Sequence, residues 1–187
     1  MTNNKNERPA VVVLVGLPAS GKSTARAHAA TNGPSANSYH YSTDDKLEQF
    51  AADLDSTYDD VFKAYAKDAM TISDQEVAEA IAQERGVIWD QTNMSRKKRS
   101  KIVNRFGNNY RKECICILPP FTAEQQIELE RRLADRPGKN IPVFVIKSML
   151  ASFELPSMNE GFTRVLYFDI FGNMIERNQA ADKFGTK

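Results

Sequence analysis

The chain of 187 residues predicts an α/β fold, a five-stranded and mostly parallel sheet with helices on both faces. Three observations predict it. Apolar runs of strand length alternate with helix-compatible segments along the chain. The first run, residues 11–15, is apolar at every position, as in a parallel strand buried on both faces. Directly after it, Gly16-Leu17-Pro18-Ala19-Ser20-Gly21-Lys22-Ser23 fits the phosphate-loop pattern G-x-x-x-x-G-K-[ST] without mismatch.

The remaining elements follow in order. An alanine-rich helix covers 24–30, broken at Asn32-Gly33-Pro34. Residues 38–42 form a second strand, and 44–54 and 58–70 read as helices. Ser73 and Glu76 form a capping box for a further helix that Gly86 stops. Val87-Ile88-Trp89 is a third strand ending in Asp90, and Ser95 caps a helix to about residue 106. A fourth strand covers 113–118, and Thr122 with Gln125 opens a capped helix to about Ala134. Residues 135–141, with Pro137-Gly138, predict a loop; Pro142 then starts a helix over 143–153. A fifth strand covers 164–170, and Gly172-Asn173 turns the chain.

Length and composition bound the function. The expected organisation is a flexible arm at 1–9, one domain at 10–178 and a polar tail at 179–187. Residues 1–9 lack the apolar stretch of a signal peptide, and no apolar run reaches membrane-spanning length. Cys114 and Cys116 have no nearby histidine to complete a zinc site, so they read as buried thiols in a reducing compartment, here the cytoplasm. The net charge of +1 gives no global field for nucleic acid.

The phosphate loop predicts binding of a nucleoside triphosphate by Gly16 to Ser23 and Thr24. Its glycines allow close backbone approach, and the amides at the helix start point at the anion. Lys22 would reach the β- and γ-phosphates and Ser23 would ligate magnesium. Ligands in open α/β sheets lie at the carboxyl ends of the strands, which gathers Ser23, Asp44 and Asp90 on one rim. Asp44 there suits a general base or an N-cap. Its neighbour Asp45 reads as a first-turn acid, within reach of substrate. Asp90 stands where a magnesium-holding carboxylate would, or ends the strand as a turn residue. Gln91, Thr92 and Asn93 follow it as candidate substrate contacts.

Two charged regions add to this. The stretch at about 131–141 carries Arg131, Arg132, Arg136 and Lys139, and predicts a mobile lid. Glu128 and Arg132 stand at i,i+4, which helical pairing explains; Arg136 lies past the helix and is the candidate for stabilising transferred charge. Residues 95–112 hold Arg96, Lys97, Lys98, Arg99, Lys101, Arg105, Arg111 and Lys112 without one acid. Such a run is either a phosphate-binding surface for a polynucleotide, with Arg96 and Lys97 as contacts, or a solvated helix face. Residues 44–60 form the opposite block, with seven acids and one lysine.

Together these residues resemble the kinase domain of the phage polynucleotide 5′-kinase family, within the wider group of P-loop kinases that includes the zeta toxins. The resemblance covers about residues 10–155. It rests on the phosphate loop, Asp44-Asp45, Thr92-Asn93, and the series Arg131-Arg132, Arg136, Pro142 and Lys147-Ser148-Met149. It implies a P-loop kinase fold, ATP and magnesium as cofactors, and a nucleic acid with a free 5′-hydroxyl as partner. It also implies Asp44 as general base, Lys22 and Ser23 on the phosphates and metal, Arg132 on ATP and Arg136 as the lid arginine. Two positions depart from the family pattern. Leu47 stands where the family has a substrate-binding arginine, and Gln91 where the phage enzyme has an acid, with Asp90 one residue earlier. Phe171 likewise replaces the second aspartate of the Asp-x-Asp pair that opens the family's phosphatase domain, so 168–173 reads as a last strand and turn. The competing readings are a small-molecule P-loop kinase, for instance on a nucleotide-sugar, and a nucleotide-driven switch without an acceptor.

Overall fold

The structure is a computed structural model and describes residues 8–32, 38–136 and 141–185. Most of the expected N-terminal arm, the break at Gly33-Pro34, Pro137-Gly138 of the lid and the last two residues lie outside the described residues. The elements are β1 (Ala10–Val15), α1 (Lys22–Asn32), β2 (Tyr39–Tyr41), α2 (Thr43–Asp53), α3 (Tyr58–Ala82) and β3 (Val87–Asp90). After them come α4 (Arg96–Val103), β4 (Arg111–Ile117), α5 (Ala123–Ala134), α6 (Val143–Ala151) and a 3-10 helix at Met158–Glu160. The chain closes with β5 (Arg164–Phe168), β6 (Met174–Ile175) and α7 (Arg177–Phe184).

The strands are ordered β2-β3-β1-β4-β5-β6, parallel except for the antiparallel β6. The sheet thus has six strands, one more than the sequence predicts, because Gly172 (φ 87°) turns the chain back as a hairpin beside β5. Asp169 holds that turn: one carboxylate oxygen accepts the amides of Phe171 and Asn173. The segment expected as a polar tail carries most of α7, with Ala180 fully buried, because its few apolar residues close the end of the core.

Strand periodicity divides the core. Val11, Val13 and Val15 face one side, against Val77 and Ala80 of α3 and Ile102 and Val103 of α4. Val12 and Leu14 face the other, with Ile88, Ile115, Ile117 and Ala25 of α1. Helices therefore cover both faces, as expected for a parallel sheet. Cys114 and Cys116 are buried free thiols in the first of these clusters.

The two helices expected at 58–70 and 73–85 are one 25-residue helix. No glycine or proline interrupts 58–82, so nothing forces a break. Glu76, expected to cap, instead accepts from Lys46 Nζ at 2.9 Å and Tyr39 Oη at 2.9 Å, tying α3 to α2 and β2. Tertiary partners outcompeted the local cap.

Candidate active site

The phosphate loop follows β1, the central strand, where the connections diverge to β3 on one side and β4 on the other. Its shape depends on glycine. A Cβ at Gly16 would meet Ser20 Oγ at 2.8 Å and Ile117 Cβ at 3.2 Å, while Gly21 takes φ 104°. Gly16 N donates to Thr92 O at 3.0 Å, pinning the loop to the segment after β3. Lys22 opens α1, and its Nζ donates to Leu17 O at 2.7 Å. Enclosure by the loop lowers the Lys22 pKa to about 8; Asp90 and Asp44 oppose that shift through their negative charge.

One polar cleft of about 490 Å³ gathers Lys22, Ser23, Asp44, Asp45, Asp90, Gln91, Thr92 and Arg136. Asp44 is not the helix cap. Ser42 holds that position, and its hydroxyl accepts the Asp45 amide at 3.1 Å, which leaves the Asp44 side chain in the first turn for other work. Tyr58 Oη donates to Asp44 Oδ1 at 3.0 Å, and Arg136 stands 4.0 Å from Oδ2. Arg136 therefore reaches the cleft from the end of α5, as its position past the helix predicts.

The other carboxylates meet a guanidinium absent from the sequence-derived site. Arg26 of α1 lies 2.5 Å from Asp45 Oδ2 and 3.5 Å from Asp90 Oδ2. Its i,i+4 spacing from Lys22 was the available signal, since both then share one helix face. Burial raises the Asp90 pKa, against the opposing charges of Lys22 and Arg26. Lys98, Thr43 and Glu48 also line the cleft; Lys98 belongs to the basic run, whereas nothing local marked the other two.

Asn93 departs from its expected role as a substrate contact. It is fully buried at φ 47°, and its Nδ2 donates to Leu14 O at 2.8 Å. It is a scaffold group that fixes the loop after β3 to the start of the phosphate loop. Gln91 and Thr92 remain in the cleft wall, Gln91 donating to Thr43 Oγ1 at 3.3 Å.

The basic run is not one surface. Arg99 is fully buried; its Nε and Nη2 donate to Glu160 at 2.8 and 2.9 Å, and its Nη1 to the carbonyls of Asn93 and Met94. Arg105 pairs with Asp74 at 2.6 Å and lies over the Trp89 ring. Arg96, Lys97 and Lys101 are exposed, while Lys98 lines the cleft. Leu47 is buried against Val61 and Ala69, in the packing of α2 on α3.

On the other side of the loop, a cavity of about 260 Å³ is bounded by Ser20, Gly21, Thr24, Ile115, Ile117, Phe168 and Arg132. Arg132 is held by Glu128 at 2.6 Å and donates to Ile170 O at 3.0 Å. Its helical pairing and its place beside the phosphate loop thus coexist. The strand ends that build this cavity carry no motif, so the sequence did not mark it.

Magnesium takes oxygen ligands, keeps several waters and needs only one or two carboxylates beside phosphate oxygens. Ser23 and Asp90 in one cleft fit that demand. Among the described residues no group of three or more His, Cys, Asp or Glu gathers as a self-sufficient metal cage. Among them, too, no helix is long and apolar enough to cross a membrane.

A phosphate loop at the switch point of such a sheet, with a loop arginine lining the same cleft, defines a P-loop nucleotide-binding domain. The chain belongs to the AAA domain family, whose profile matches residues 11–156. Solved structures share the fold. The PezAT toxin-antitoxin system of Streptococcus pneumoniae matches at 14% identity and TM-score 0.62, over 97% of this chain and 80% of that one. A presumed kinase from Chloroflexus aurantiacus J-10-fl matches at 15% and 0.60, over 88% and 86%. A gluconokinase from Sinorhizobium meliloti 1021 matches at 16% and 0.51, over 90% and 86%. At these identities the likeness concerns the fold alone.

Proposed function

We propose that the protein is an ATP- and magnesium-dependent kinase that transfers the γ-phosphate to the 5′-hydroxyl of DNA or RNA. The reading of the acceptor rests chiefly on one observation. Lys98, on the basic helix α4, lines the same cleft as Lys22, Asp44 and Arg136, and Lys97 and Lys101 are exposed on that same short helix. A polymer whose end enters the cleft would lay its next phosphates on those cations.

In the proposed step, the acceptor hydroxyl attacks the γ-phosphorus. A new O–P bond forms as the bond to the β,γ-bridging oxygen breaks, ADP leaves, and the hydroxyl proton passes to Asp44. Lys22 and Arg136 balance charge on the transferring group. Ser23 and Asp90 would hold magnesium, which supplies charge neutralisation to the triphosphate. The cavity beside Arg132, Ile115 and Phe168 suits the nucleobase of ATP, with apolar walls for its faces.

A second reading, a small-molecule acceptor, draws support from Leu47. It stands buried where the polynucleotide kinases that the chain resembles have a substrate-binding arginine, and Asp44, Asp45 and Glu48 make that wall acidic. The test is incubation with γ-labelled ATP and a panel of 5′-hydroxyl oligonucleotides, nucleosides and nucleotide-sugars. Label on oligonucleotides alone supports the polymer reading; label on a small molecule alone replaces it. Asp44→Asn should lower transfer on the order of 10²–10⁴-fold with ATP binding retained. Full activity in Asp44→Asn and loss in Asp45→Asn would move the base to Asp45.

A further inference from the structure

The acid doublet after β2 is sorted by its partners. Asp45 is engaged by Arg26 and by its own amide's bond to Ser42, whereas Asp44 meets a neutral donor, the phenol of Tyr58, at 3.0 Å. That phenol is rigidly mounted. Tyr58 is the first residue of α3, whose N-cap Thr57 accepts the Asp60 amide. Its ring packs on the cluster of Leu47, Val61 and Ala69 that joins α2 to α3, and lies beside the Phe62 ring at 6.1 Å between centroids.

We propose that Tyr58 is a positioning residue for the candidate base: its hydroxyl holds Asp44 Oδ1 so that Oδ2 looks into the cleft toward Arg136. The inference rests on the reading of Asp44 as base and adds a group that neither the phosphate-loop pattern nor the lid marks. A carboxylate free to rotate would spend much of its time directed away from the acceptor; one fixed by a short donor is preorganised for proton transfer. A phenol also suits the task chemically. Burial and the Asp44 charge raise the Tyr58 pKa, so it remains a protonated donor across the working range. Other groups act on Asp44 as well. Arg136 faces it from the end of α5, Lys22 from α1 and Asp90 from β3, while Asp45 and Glu48 share its own helix. These stay in place when the Tyr58 hydroxyl alone is removed.

The experiment compares wild type, Tyr58→Phe, Asp44→Asn and the double variant on γ-labelled ATP and a 5′-hydroxyl oligonucleotide. Thermal melting and ATP binding serve as controls that α2 and α3 remain packed. Tyr58→Phe should lower kcat roughly ten- to a hundredfold with KM for ATP unchanged, as expected for one lost hydrogen bond to a charged group. In the Asp44→Asn background the same change should cost less than about twofold, since its target is gone. A lower rate accompanied by a raised KM for ATP or a lowered melting temperature would make Tyr58 a packing residue and overturn the proposal, as would losses that multiply independently. Full activity in Asp44→Asn would overturn the base assignment itself and the proposal with it. Hydrolysis of γ-labelled ATP by the same four proteins gives a readout without the acceptor: a Tyr58→Phe loss that vanishes in the Asp44→Asn background supports the proposal, and losses that multiply independently overturn it.

Discussion

Lys22 should make nucleotide affinity pH-dependent above neutrality. Its pKa in the free protein is about 8, lowered from the usual lysine value by enclosure in the loop, with Leu17 O as its hydrogen-bond acceptor. The charged form is the one that binds phosphate. At pH 7 the ammonium is mostly present and binding needs no proton. At pH 9 only about a tenth remains, so binding must take up a proton and affinity should fall by up to about tenfold relative to pH 7. ATP itself has lost its last phosphate proton below this window, so the trend belongs to the protein. The assay is isothermal titration of ATP with magnesium from pH 7 to 9.5 in two buffers of different ionisation enthalpy, which counts protons taken up. Lys22→Met should bind more weakly at every pH and show no decline between 8 and 9.5. The stability consequence has a definite sign. A lysine whose folded pKa lies below its unfolded value leaves the unfolded chain with more bound protons between about pH 8 and 10.5, so its contribution to stability rises across that window. Lys22→Met should lose that rise and be more stable than wild type at pH 7, by about 1–3 kcal/mol. A wild-type affinity flat to pH 9.5, or an equal decline in Lys22→Met, would refute the reasoning.

Three further outcomes test other parts of the structure. Arg136→Ala should lower kcat more than ATP affinity, because its contact strengthens as charge develops on the γ-phosphate; single-turnover and binding measurements separate the two. Arg99→Ala should destabilise the protein by about 3–5 kcal/mol in urea unfolding by leaving Glu160 buried and unpaired, whereas reversing Lys97, Lys98 and Lys101 to Glu should leave stability nearly unchanged while weakening oligonucleotide binding and flattening its salt dependence. Leu47→Arg should not restore a family-like substrate contact; a buried charge there should cost about 3 kcal/mol or more, read as a lowered urea midpoint.

The sequence by itself determined the features that act within a turn or two. The phosphate loop and its flanking strand and helix stand where the pattern puts them, because the glycines, the lysine and the apolar run each act on their own backbone. The caps at Ser95 and Thr122 are formed as expected, each hydroxyl accepting an amide three residues on. Arg136 lies past the helix and outside its pairing, which marked it as a candidate; that it stands against Asp44 came from the tertiary structure. Tertiary structure decided what depends on partners far along the chain. Arg99 and Lys98 are neighbours in one basic run; one is buried on Glu160, 61 residues away, and the other lines the cleft. The capping box at Ser73 and Glu76 gave way to a continuous helix because Lys46 and Tyr39, supplied by other elements, took the glutamate. Arg26 and Tyr58 sort the Asp44-Asp45 doublet from two different helices, and no local signal carries that. A side chain's spacing states which face of its own element it occupies; only the packing of elements states what that face meets.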